Sequence, residues 1–242
     1  MEKIFEINSN WKKQSLVNKH EYKELYAESI TENENFWEKH GQRIDWIKPY
    51  SKIKDVKYSS TEVHIKWYYD GTLNASYNCI DRHALTNPNK IAIIWEGDDP
   101  LVSKKITYKE LLKNVCKTAN ALKKVGIKKG DRVTIYLTMI PELAYIMLAC
   151  ARIGAIHSII FGGFSAESIA GRVQDCKSEF IVTADEGIRG GKMIPLKKIT
   201  DDALMKCPNI KKCLVVKRTG NPINWVNERD VYLDELIVDE NI

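Results

Sequence analysis

From Lys90 onward, short continuous apolar runs alternate with stretches whose apolar residues recur every three or four positions, the marks of buried strands and amphipathic helices. "KIAIIWEG" predicts a strand. "TYKELLKNVCKTANALKKVG" predicts a helix: Thr107 and Glu110 have capping-box spacing, and Leu111, Val115, Ala119 and Leu122 form an apolar stripe. Gly126 supplies a left-handed stop. "RVTIYL" is the next strand, and Pro141 and Glu142 open the following helix, proline at the first helical position and an acid by the positive end of the helix dipole. The alternation runs on through a strand at Ala155–Ile160, a helix at Ala166–Cys176, a strand at Glu179–Thr183, a helix at Pro195–Lys206 and a strand at Cys213–Val216. In the helix at Ala166–Cys176, Ser165 is the N-cap and Ile169, Val173 and Cys176 share a face. Strands apolar on both sides, alternating with helices, predict an α/β fold: a mainly parallel sheet with helices on both faces.

Residues 1–78 follow another pattern, richer in aromatics and charge, and form a small helical and irregular segment ahead of the α/β part, residues 79–242. Helical stretches fall around Glu21–Ser29 and Thr31–His40, the second with a capping box at Thr31 and Glu34 and a stop at Gly41. "DWIKPYSKIKDVKYSS" reads as an irregular extended linker. At the other end, "NWVNERDVYLDELIVDENI" closes the chain with no capping element, which reads as a sheet cut short with an unprotected edge strand.

The 242 residues suffice for one large domain or two smaller ones. An apolar fraction of 44% and a charged fraction of 29% are those of an ordinary globular protein. The net charge of +5 comes from scattered lysines with no dense basic run, which argues against a nucleic-acid partner. Cys79, Cys116, Cys150, Cys176, Cys207 and Cys213 form no Cys-x-x-Cys pair and no zinc spacing with histidine. Several fall on apolar helix faces, as reduced thiols of a cytoplasmic protein do. The N-terminal "MEKIFEINSNWKKQ" has no continuous apolar core of a signal peptide. The long apolar stretch Leu143–Phe164 carries Arg152 near its middle, where an arginine costs roughly 2.5–3.5 kcal/mol on insertion scales. A buried helix turning into a buried strand accounts for it, and no membrane partner is expected.

Two glycine-bearing turns remain as candidate chemistry. Gly162–Gly163 stands after a strand and before a capped helix, the place where open α/β sheets collect ligands. On spacing alone a plain chain reversal is the commoner explanation of the pair, and no Gly-x-Gly-x-x-Gly occurs. "DEGIRGGKMIP" looks at first like a Walker A loop, but Glu186 and Met193 stand where that motif needs glycine and Ser or Thr. What is left is a glycine-flanked loop carrying Arg189 and Lys192. Arg189 offers a fork suited to phosphate oxygens, each charged bond contributing about 1.5–3 kcal/mol; a solvated basic loop is the commoner explanation. In "NCIDRH", Asn78 as an N-cap and Asp81 in the first turn give a structural account. No nucleophile elbow, metal cluster or carboxylate pair stands out, so no metal ligand is assigned.

Three stretches stand in order along the chain: "IKWYYDGTLNASYNCIDRH" (Ile65–His83), "MLACARIGAIHSIIFGGFS" (Met147–Ser165) and "VTADEGIRGGKMIPLK" (Val182–Lys197). Together they closely resemble the N-terminal region of the AMP-forming acetyl-coenzyme A synthetases, acyl-adenylate-forming ligases, from about Tyr22 to the last residue. The family joins acetate to ATP, giving acetyl-adenylate and pyrophosphate, and passes the acetyl group to coenzyme A. The resemblance therefore implies acetate, ATP and coenzyme A as small-molecule substrates, with Mg2+. It also implies that Phe161, Gly162 and Gly163, together with Arg189, Gly190, Gly191 and Lys192, contact coenzyme A. Family members often carry arginine where this chain has Lys192, which keeps the charge and loses the fork. The family's phosphate loop, acetate pocket, adenosine motifs and C-terminal domain with its adenylation lysine have no counterpart in these residues. No catalytic residue is assigned to this chain, and alone it is expected to be inactive. The competing readings are a non-catalytic module binding coenzyme A or a partner, and half of a split enzyme completed by a separate C-terminal chain.

Overall fold

The computed structural model describes residues 4–238, and the chain divides into two compact units, Met1–Leu73 and Asn74–Ile242. The first contains α1 (Ser9–Gln14), α2 (Lys19–Thr31), α3 (Asn33–Gly41) and the antiparallel strands β1 (Lys52–Tyr58) and β2 (Val63–Tyr69). Two expectations are corrected here. The capping box is Asn18–Glu21, not Thr31–Glu34: the Asn18 side chain accepts from the amides of His20 and Glu21, and Glu21 accepts from the amide of Asn18. Thr31 is the last residue of α2, and its hydroxyl donates back to the Ala27 carbonyl at 3.1 Å. The second correction concerns the stretch read as a linker, much of which is β1. Its charged residues hide the strand, yet they find partners on or beside β2: Lys54 lies over the Trp67 ring, Asp55 meets His64 and Lys57 meets Glu62.

The aromatic content of this unit has a specific use. The carbonyls of the last turns of α3 take side-chain donors beside their backbone ones. The Tyr68 hydroxyl donates to Trp37 O at 2.8 Å, the Tyr50 hydroxyl to Glu38 O at 3.3 Å and the Trp46 indole to Gly41 O at 2.9 Å. Gly41 admits them, because a Cβ there would lie 2.7 Å from the Tyr68 ring. Asp70 closes the hairpin in a left-handed conformation (φ 57°), accepting from Lys48 Nζ and the Ser51 amide, both at 2.8 Å. The bond from Lys48 first, then that from Ser51, lowers its carboxyl to about 2. A depressed pKa means that these bonds contribute stability above the unfolded carboxyl range, and that the contribution fades as pH falls through the folded value. An NMR titration of the Asp70 side chain is expected to show its midpoint near 2, and Lys48→Ala to move that midpoint up toward 3.8.

The second unit opens with a π-helical turn, Tyr77–Asp81, running into α4 (Arg82–Thr86). There follow β3 (Ile91–Glu96), β4 (Ser103–Thr107), α5 (Tyr108–Lys124), β5 (Arg132–Leu137), α6 (Pro141–Ile153), β6 (Ile156–Phe161) and α7 (Ala166–Cys176). The remaining elements are β7 (Phe180–Ala184), β8 (Gly187–Arg189), β9 (Lys192–Ile194), α8 (Leu196–Leu204), β10 (Lys212–Val216), β11 (Asp230–Tyr232) and α9 (Leu233–Val238). Five strands form one sheet in the order β11-β10-β7-β5-β6, every neighbouring pair parallel. The crossover β5–α6–β6 steps one way along the sheet and β6–α7–β7 steps back past β5, so right-handed connections put α6 and α7 on opposite faces. Helix α6 packs with α5, and α7 packs with α8. This is the parallel α/β sheet covered on both faces that the strand–helix alternation predicts.

Burial follows strand position. All of β7, β5 from Val133 and β10 from Cys213 are buried, as central strands covered on both faces must be. A fully buried Ile or Leu there contributes about 1.5–3 kcal/mol. The local signals read from the sequence hold in α5, α6 and α7. Thr107 and Glu110 exchange their capping bonds, Pro141 opens α6, Ser165 accepts from the Ser168 amide, and Gly126 turns left-handed at φ 94°. Arg152 makes a bidentate pair with Asp81 at 2.7 and 2.8 Å. Among the described residues, no helix is long and apolar enough to cross a membrane.

Three expectations are corrected in this unit. The strand at "KIAIIWEG" does not join the parallel sheet; β3 pairs antiparallel with β4, a half-exposed hairpin whose second strand is masked by Lys104 and Lys105. Asn78 is not an N-cap: it lies inside the helical stretch, and the side chain of Asn74 accepts the Tyr77 amide instead. Asp81 is spent on Arg152 rather than on a helix dipole. At the chain's far end β11 is indeed a sheet edge, three residues long, and the last four residues, 239–242, lie outside the described residues. The longer exposed edge is β6, where Ile156, Ile159 and Phe161 are all exposed.

Candidate functional site

Because β6 and β7 leave β5 on opposite sides, the carboxyl ends of these strands frame a crevice, the place where open α/β sheets hold ligands. The turn after β6 supplies Phe161, Gly162 and Gly163. Gly162 is buried, and a Cβ on it would lie 2.8 Å from the Leu137 carbonyl oxygen and 3.0 Å from the Thr138 nitrogen. The close approach that this glycine permits is therefore to the chain's own backbone at the end of β5. Gly163 differs: a Cβ there would meet only Arg189 and Phe161 side-chain atoms, none nearer than 3.6 Å.

The loop "DEGIRGGKMIP" is a hairpin, β8–β9, reversed by Gly190 and Gly191, both left-handed (φ 57° and 71°). Two consecutive left-handed residues are what the commonest two-residue hairpin turn demands, and glycine meets the demand without strain. Arg189 and Lys192 stand directly opposite each other and share a face, so both cations leave the hairpin on one side. The Arg189 guanidinium lies 5.4 Å from the centre of the exposed Phe161 ring. The structure thus brings the two predicted turns together, Arg189 stacked on Phe161 beside Gly163.

Sequence reasoning missed three neighbours. Trp95, at the end of β3, donates its indole N–H to the Met139 carbonyl at 2.7 Å and carries the Arg218 guanidinium 5.2 Å above its ring. Asp98, in the β3–β4 loop, accepts from the amides of Gly190 at 3.0 Å and Gly191 at 2.6 Å. The amide bond from Gly191, and then that from Gly190, hold its carboxyl below the ordinary range. Trp95, Asp98, Thr138, Phe161, Arg189 and Arg218 line a common cavity of about 520 Å³ with apolar walls from β5 and β6. Arg218 was within reach of the rule that ligand sites gather past the carboxyl ends of strands. Asp98 was not, since the β3–β4 hairpin was not foreseen.

Asp185, at the exit of β7, is almost wholly buried. Its carboxylate accepts from the amides of Glu186, Arg218, Thr219 and Gly220, which sets the loop that carries Arg218. The cavity is therefore a concave surface with aromatic platforms and two guanidinium groups. It suits a planar ring joined to anionic oxygens. Among the described residues no group of three or more His, Cys, Asp or Glu is arranged to hold a metal ion.

Residues 80–235 match the AMP-binding enzyme family, and residues 22–79 match the N-terminus of acetyl-coenzyme A synthetase. The chain belongs to the AMP-binding enzyme family. Curated relatives of this chain include acetyl-coenzyme A synthetases from Parvibaculum lavamentivorans, 56% identical over 234 residues, and Rhizobium rhizogenes, 55% identical over 238. Each match takes in 97% of this chain and 36% of the relative, so the chain spans about a third of their length. Its fold is that of a solved acetoacetyl-CoA synthetase from Streptomyces lividans, with a TM-score of 0.80 at 22% identity, over 91% of this chain and 33% of that one.

The two glycines of the β6 turn separate structural from accessible positions. Gly162→Ala is expected to destabilise the second unit by about 1–3 kcal/mol through the clash with Leu137. Gly163→Ala is expected to stay within about 0.5 kcal/mol of the parent. Denaturant unfolding of the two variants checks both.

Proposed function

We propose that this chain is the N-terminal portion of an acetate–CoA ligase that activates acetate with ATP to acetyl-adenylate and transfers the acetyl group to coenzyme A. It carries the coenzyme A loops and not the adenylation machinery. The observation that supports this reading most directly is Arg189 over Phe161 at the mouth of the cavity. Phe161 gives a flat apolar face for a base, and Arg189 and Lys192 leave the hairpin on one side as cations for phosphate oxygens. Gly163 leaves the approach to Phe161 uncrowded. When coenzyme A binds, it brings the thiol that accepts the acetyl group. What this chain contributes is orientation of the nucleotide end and neutralisation of its charge. The adenylating step, with ATP and Mg2+, falls to parts of the family outside these residues.

The purified chain is expected to bind coenzyme A saturably by calorimetry while giving no acetate-dependent ATP–pyrophosphate exchange. Arg189→Ala is expected to weaken binding about tenfold or more, the loss of one charged hydrogen bond. Exchange by the chain alone, or binding indifferent to Arg189, would overturn the reading.

The exposed edge of β6 favours a second reading, a split enzyme completed by a C-terminal chain. A strand open along its outer edge, with Ile156, Ile159 and Phe161 exposed, is a surface on which another strand pairs readily. Recovery of acetate-dependent exchange on mixing this chain with the remaining two-thirds of an acetyl-coenzyme A synthetase relative is its expected result, and failure of the two pieces to associate rejects it.

A further inference from the structure

The tip of the β8–β9 hairpin holds two adjacent backbone N–H groups in left-handed conformation, an arrangement that makes a small anion-binding concavity. A phosphate of the ligand is the obvious occupant. In this fold the concavity is already filled, since each Asp98 carboxylate oxygen takes one of the two amides. Asp98 belongs to the β3–β4 loop, ninety-odd residues away in sequence, so the contact is tertiary and joins two otherwise separate hairpins across the mouth of the cavity.

The β3–β4 loop is itself built to present that carboxylate. Its turn is closed by the Gly97 amide donating to Val102 O at 2.7 Å and by the amides of Leu101 and Val102 donating to Asp99. The strand that leads into it is anchored by the Trp95 indole on the Met139 carbonyl. The hairpin beyond has little else to hold its tip: Arg189, Gly190, Gly191 and Lys192 are all exposed, and a Cβ on either glycine would meet nothing within 4 Å. The place of Arg189 above Phe161 accordingly depends on the two amide bonds to Asp98.

We propose that Asp98 is a positioning residue for coenzyme A: by occupying the Gly190–Gly191 amides it fixes the hairpin with Arg189 over Phe161, and it leaves phosphate recognition to the side chains of Arg189 and Lys192 rather than to the backbone. This rests on the reading of the hairpin as a coenzyme A contact. It assigns the two glycines a different purpose from close approach to the ligand: they form the turn whose amides Asp98 grips.

The test separates the hairpin from the ligand. In the parent chain, NMR is expected to show slowed exchange of the Gly190 and Gly191 amides and an upfield ring-current shift of the Arg189 δ-methylene protons from Phe161. In Asp98→Ala both amides are expected to exchange about tenfold faster or more and the ring-current shift to collapse, with the cooperative unfolding transition retained because Asp98 and the hairpin tip are exposed. Coenzyme A affinity, measured by calorimetry, is expected to fall with them. Asp98→Asn, which keeps one acceptor oxygen, is expected to recover part of each. Unchanged amides and ring shift in Asp98→Ala would overturn the positioning role, and tighter coenzyme A binding in that variant would show instead that the carboxylate competes with a phosphate. If the parent chain binds no coenzyme A, the ligand half of the proposal falls with the reading beneath it, and the amide exchange alone decides whether Asp98 sets the hairpin.

Discussion

Strand β5 carries the constraint on which the second unit turns. It is paired along both edges, to β6 and β7, and covered on both faces, so Val133 through Leu137 are all buried. The next strand takes one side, and the one after crosses to the other. That reversal opens the crevice at the carboxyl ends of the strands. The end of β5 also sets the β6 turn, because Gly162 lies so close to the Leu137 carbonyl that no side chain fits between them. Phe161 is held at the rim by the same contact that closes the sheet beneath it.

The loops above this rigid floor are held mainly by carboxylates gripping backbone amides. Asp185 gathers four amides and shapes the loop of Arg218; Asp98 takes two and holds the hairpin of Arg189. Asp70 does the same for the hairpin of the first unit. Charge-assisted bonds of this kind are short, directional and roughly twice as strong as neutral ones, so a single small residue can fix several residues of irregular chain. Elsewhere charge is balanced within the interior. Lys197, fully buried, bonds Asp201 at 2.8 Å and Asp230 at 2.9 Å, and Arg229 reaches both carboxylates at 2.6 Å. Burial pushes the Asp230 carboxyl up, but the bonds from Arg229, the Val226 amide and Lys197 hold it below its ordinary value. Such a cluster tolerates burial only while complete, since removal of one partner leaves a buried charge uncompensated.

What the sequence disclosed and what it hid divide along the range of the interactions concerned. Helix caps at Thr107 and Ser165, the left-handed stop at Gly126 and four of the five strands of the parallel sheet depend on neighbours within a few residues or on an unbroken apolar run, and all are legible; the three-residue β11 is not. The hairpins are not. Strand β4 carries Lys104 and Lys105, and β1 carries Lys52, Lys54, Asp55 and Lys57, so neither announces burial; each becomes a strand by pairing with the neighbouring strand of its hairpin. The same applies to the site. Arg189, Gly162 and Gly163 stand out as residue types, but nothing within the chain near Asp98 marks it as the group that meets Gly190 and Gly191. Asn78 shows the opposite failure: its chemistry suits a cap, but Asn74, four residues earlier, takes the position.

The carboxylate in the hairpin tip gives weight to a difference that looks conservative. If the turn amides were free, a phosphate could rest on the backbone and the identity of residue 192 would matter little. With both amides occupied, the anion must be met by side chains projecting from the flanking positions. There, Arg189 offers a planar fork held against Phe161, and Lys192 a flexible ammonium on the same face. Lysine supplies the charge without the bidentate geometry, so on the proposed reading orientation of a bound phosphate falls chiefly to Arg189. On that reading the stack on Phe161 is part of recognition, and Asp98, by setting that stack, acts on the ligand without touching it.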